Sequence, residues 1–139
     1  RLADAGRTLA RADSKHGLKS RLFAPELGLA KAWTAAARMD GPGAIDAARD
    51  AAKAAERGGQ SAIAVRALLD AVRLGDLRAA ESLERLGDDS AVGRLALTYA
   101  RAFTAGDADG LDASSAACAG IGMTGVAADA ARQATEARG

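Results

Sequence analysis

Six basic residues fall into three pairs with seven-residue separation: Lys31 and Arg38, Arg66 and Arg73, Arg94 and Arg101. Seven positions are close to two helical turns, so on a helix each pair stacks on one face as a short positive ridge. Such a ridge suits a carboxylate or a phosphate, and the chemistry it offers is the binding of an acidic small molecule or an acidic peptide. The competing reading is a solvated charge face, locally paired, with Asp70 on the same helix as Arg66 and Arg73. Register also separates the pairs. The second member lies three positions before Gly41, two before Gly75 and five before Gly106, which displaces the third ridge by about one turn.

Other residues that do chemistry elsewhere read here as structure. Gly120-Ile121-Gly122-Met123-Thr124-Gly125 matches G-x-G-x-x-G, but that fingerprint requires a strand before it and a helix N-terminus aimed at a pyrophosphate. Leu111 to Ala119 is helical in pattern, so the glycines read as a helix–helix connection. Asp107, Asp109 and Asp112 resemble the start of a calcium loop without its twelve-residue ligand pattern, and they fit a helix N-terminus instead. The only histidine, His16, sits in a polar stretch, and the only cysteine, Cys118, sits among alanines as a small buried hydrophobe. Neither forms a nucleophile–base set or a metal site with the other, and no disulfide is possible within the chain. Trp33 and Tyr99 fall on apolar helical faces and read as core. No cofactor and no enzymatic role are expected.

The elements that must position these residues are helices. Gly/Asp-rich turns at Asp40-Gly41-Pro42-Gly43, Leu74-Gly75-Asp76 and Ala105-Gly106-Asp107 recur about every 31 to 35 residues, the period of a helix-turn-helix solenoid. Periodicity predicts helices over Leu2–Ala12, from Pro25 through about Ala37, Ala44–Arg57, Ser61–Leu74, Leu77–Leu86, Ala91–Thr104, Asp107–Ala119 and Met123 or Thr124 to Ala137. The first of these eight stretches resembles the second helix of a truncated pair, and the whole is expected to be one continuous all-α domain of about seven helices over residues 1–139. Their expected inner faces include Ile45, Ala48, Ala52 and Ala55; Val65, Leu68, Leu69 and Val72; Leu77, Ala80, Leu83 and Leu86; and Val92, Leu95, Ala96, Tyr99 and Phe103. Ser61 or Gln60, Asp76, the Asp88-Asp89-Ser90 run and Asp107 are the expected N-terminal caps, and Gly58-Gly59 an expected C-terminal one. Ala62-Ile63-Ala64-Val65 is short enough for a strand but lies inside a helical period.

Composition agrees. The chain is 49% hydrophobic yet only 3% aromatic, which favours close Ala/Leu helix packing over the β-branched and aromatic faces of a sheet. Nineteen Lys and Arg against 18 Asp and Glu give a net charge of +1, too small an excess for whole-surface nucleic-acid binding. The sequence holds neither a secretory apolar segment nor a membrane-length apolar run, so a cytoplasmic location is the expectation. An opening at Arg1 without methionine reads as a piece of a longer chain.

Three stretches carry a family resemblance: Ala24-Pro25-Glu26-Leu27-Gly28-Leu29-Ala30-Lys31-Ala32-Trp33-Thr34-Ala35-Ala36-Ala37-Arg38, then Ala67 through Asp76, and Thr104 through Ala113. Together they resemble the tetratricopeptide-like region of large actinobacterial LuxR-family transcriptional regulators of the maltose-regulator type. The resemblance implies a sensor and coupling segment between an ATPase module and a short DNA-binding domain. Its partners would be other domains of the parent regulator and an inducer or acidic peptide, with no direct nucleic-acid contact and no membrane. No G-x-x-x-x-G-K-[ST] P-loop occurs, so ATP binding is carried onto no residue. The alternative function is a general interaction or oligomerisation scaffold without a small-molecule ligand.

Overall fold

Alanines spaced by three and four dictate the first element of the computed structural model, which describes residues 41–139. Helix α1 (Gly41–Arg57) buries Ala44, Ala48, Ala51, Ala52 and Ala55 along one side. It is already helical at Gly41, three residues before the expected Ala44, and Pro42 is tolerated near a helix start because it lacks only a donor that the first helical turn has no acceptor for. Gly41-Pro42-Gly43 is therefore helical and not a turn. The inner face also rotates: Ala44 and Ala51 are buried and Ile45 is half-buried.

A glycine closes α1. Gly59, at φ 69°, donates to the Glu56 carbonyl at 3.1 Å while Gln60 donates to the Ala55 carbonyl at 2.8 Å. These paired bonds satisfy carbonyls that the helix end would otherwise leave open, and they reverse the chain into α2 (Ser61–Arg73). Val65, Leu68, Leu69 and Val72 are buried as the spacing predicts, and Ala64, Ala67 and Ala71 join them. The small face of α1 lets the larger side chains of α2 seat against it, and the two helices pack together. Past its first turn, α2 leaves only a narrow polar stripe of Arg66, Asp70 and Arg73 unburied. The stretch Ala62 to Val65 is helical.

The chain divides into two compact units, Arg1–Gly75 and Asp76–Gly139. In the second, Asp76 is buried at 2% exposure and its carboxylate accepts the Arg78 backbone N–H at 2.9 Å. That local turn delays the next helix, α3 (Ala79–Leu86), by two residues. Leu77, expected on the inner face, consequently falls in the turn and is 61% exposed, because helical spacing does not govern it. Ala79 and Leu83 are buried, while Ala80 and Leu86 are half-buried. Gly87, in the left-handed region, ends the helix.

Ser90 then caps α4 (Ala91–Ala105), its hydroxyl accepting the Gly93 N–H at 3.0 Å. The Asp88 carboxylate accepts the Ser90 N–H at 2.9 Å, so the expected Asp/Ser punctuation is a small hydrogen-bonded box. Ala96 and Tyr99 are buried, and Val92, Leu95 and Phe103 are half-buried. Helix α4 packs on α3 and on α5 (Ala108–Gly120). Helix α5 in turn packs along α6 (Thr124–Arg138).

Leu111, Ser114 and Cys118 of α5 and Val126, Ala127, Ala130, Gln133 and Ala134 of α6 are buried. Polar bonds knit this part of the unit: Ser115 Oγ donates to the Ala127 carbonyl at 2.7 Å, and the Tyr99 hydroxyl donates to Gln133 Oε1. The described residues thus form six helices and no strand, rather than the seven helices expected of the whole chain. All six predicted from Ala44 onward are present. The expected Leu2–Ala12 and Pro25 helices lie outside the described residues, as do His16 and Trp33. Among the described residues, no helix is long and apolar enough to cross a membrane.

Candidate functional site

Each seven-residue basic pair within the described residues occupies one face of one helix, but the two pairs differ in how they are held. On α2, Arg73 Nη1 lies 2.9 Å from Asp70 Oδ1, with the two side chains only 20% and 14% exposed. An i,i+3 ion pair sheltered in this way resists exchange with solvent anions, so Arg73 is held by Asp70. Arg66, one residue past the buried Val65, is exposed.

On α4 the pair is open. Arg94 and Arg101 both lie on the solvent side, opposite Ala96 and Tyr99. Arg94 donates to the Asp89 backbone carbonyl, which anchors it beside the Ser90 cap. Arg101 reaches across to Glu84 of α3 at 3.4 Å, with side chains 58% and 66% exposed. Exposed pairs of this kind contribute about 0–1 kcal/mol, so an incoming carboxylate or phosphate can take the place of Glu84 at little cost. Lys31 and Arg38 lie outside the described residues.

The remaining motifs have local structural roles. The Gly120–Gly125 run joins the last residue of α5 to the first turn of α6, a helix–helix connection as the absence of a strand pattern predicts. Gly122 at φ 84° donates to the Ala119 carbonyl, and Met123 donates to the Cys118 carbonyl at 2.9 Å. This is a helix C-terminal lock that turns the chain into α6. Of the acidic cluster, Asp107 caps α5 by accepting the Gly110 N–H at 3.0 Å. Asp109 and Asp112 lie 2.9 and 2.7 Å from Arg138 Nη2, and these bonds, Asp112 first, hold the guanidinium even further above its ordinary pKa. Among the described residues, no group of three or more His, Cys, Asp and Glu is arranged to hold a metal ion.

Cys118 is fully buried, and desolvation pushes its thiol above the usual range. Tyr99 is core, as expected, with its hydroxyl satisfied by Gln133. Three residues with structural consequence escaped the sequence reading. Gln133 shares the spacing of Val126, Ala130 and Ala134, and that register was the available signal for its burial. Ser114 sits one turn before Cys118 on the same buried face. Arg138 had no local signal, since the acids it joins lie 26 and 29 positions away in the chain. No family model matches the chain, nor does any curated protein or solved structure.

Proposed function

We propose that this chain is the signal-coupling segment of a cytoplasmic LuxR-type transcriptional regulator: a non-catalytic, tetratricopeptide-like helical repeat that docks an acidic partner or inducer. DNA contact and ATP chemistry belong to other domains of the parent regulator. The observation that carries the reading is the Arg94–Arg101 face of α4, two cations on one open helix side. Only a solvent-exposed bridge ties Arg101 to Glu84 of the neighbouring helix.

That bridge supplies a coupling mechanism. An anion that binds Arg101 competes with Glu84 and releases one tie between α3 and α4, so occupancy biases how these helices associate. In a helical repeat, a small change between neighbouring helices propagates along the stack. The open placement of both arginines favours an acidic segment of another domain over an enclosed metabolite, and so also lends weight to the general interaction scaffold.

A thermal-shift series on the chain, with a glutamate-rich peptide, inorganic phosphate, nucleotides and sugars as probes, tests the reading. Ligands selective for the folded state raise its melting temperature. The expected result is a saturable upward shift with the acidic peptide that fades as salt rises. No shift with any anionic probe at low salt overturns the docking reading.

A further inference from the structure

We draw no further inference here: the strongest candidate, the solvent-facing Ala113, Ala116, Ala117 and Gly120 side of helix α5 continued by the 56% exposed Ile121, is an unpartnered apolar helix face, and nothing in the structure shows what covers it.

Discussion

The Ser114 hydroxyl is buried at 2% exposure without a hydrogen-bond partner. A hydroxyl in that state costs about 1–3 kcal/mol relative to one that is satisfied, and alanine is also the better helix former. Ser114→Ala is therefore expected to stabilise the chain by about 1 kcal/mol or more, a rise in melting temperature of roughly 3 °C or more. A fall in melting temperature would show that the hydroxyl is satisfied in solution.

Cys118 makes a separate prediction. Its raised thiol pKa means that the folded state holds this proton more tightly than the unfolded state, so the contribution is intact below the ordinary thiol pKa and is lost as pH rises through the folded value. Denaturant titrations should show stability falling into the alkaline range more steeply for the parent chain than for Cys118→Ala. Equal slopes would contradict the burial argument. Burial of Cys118 and Tyr99 was legible from their apolar neighbours. The partners of Tyr99 and Arg138 were not, because each bond joins positions about thirty residues apart and local spacing carries no such information.

At the scale of the element, two glycines are required for different reasons. Gly122 needs its φ of 84°, and an added Cβ there would meet open space. Its replacement by alanine should cost only the left-handed backbone penalty, about 1–2 kcal/mol. Gly110 is instead constrained by space: a Cβ would lie 2.9 Å from Asp107 Cγ and 3.0 Å from Ala102 Cβ, against the cap of α5. Gly110→Ala should displace the capping carboxylate and destabilise the chain by about 0.5–2 kcal/mol.

Combining Gly110→Ala with Asp107→Ala distinguishes the two costs, because the losses should be less than additive if both act through the cap. Full additivity in chemical denaturation would refute a shared mechanism. Helix existence from Ala44 onward followed from spacing, as did the buried face of α2. Helix starts were less legible. Asp76 could cap a helix at Leu77 or close a turn ahead of it; its bond to the Arg78 N–H suits either, and the helix start at Ala79 distinguishes them. The misplacement of Leu77 follows directly from that ambiguity.

For the whole molecule, the decisive property is the availability of its cations. The sequence presents Arg66–Arg73 and Arg94–Arg101 as ridges of the same seven-residue spacing displaced by about one turn, since spacing reports a face but not the shelter around it. Burial separates them: Arg73 is held by Asp70, whereas Arg101 rests on a bridge that solvent already reaches. Removing Arg73 should therefore act on stability, by taking a sheltered ion-pair partner from the half-buried Asp70. Removing Arg94 and Arg101 should act on binding. Calorimetric titration of a glutamate-rich peptide into the parent chain and into the Arg94→Ala/Arg101→Ala variant tests this account most directly. It predicts affinity more than tenfold weaker in the variant, with the melting temperature changed little because the lost surface pair contributes about 0–1 kcal/mol. Equal affinity for the two proteins would contradict it.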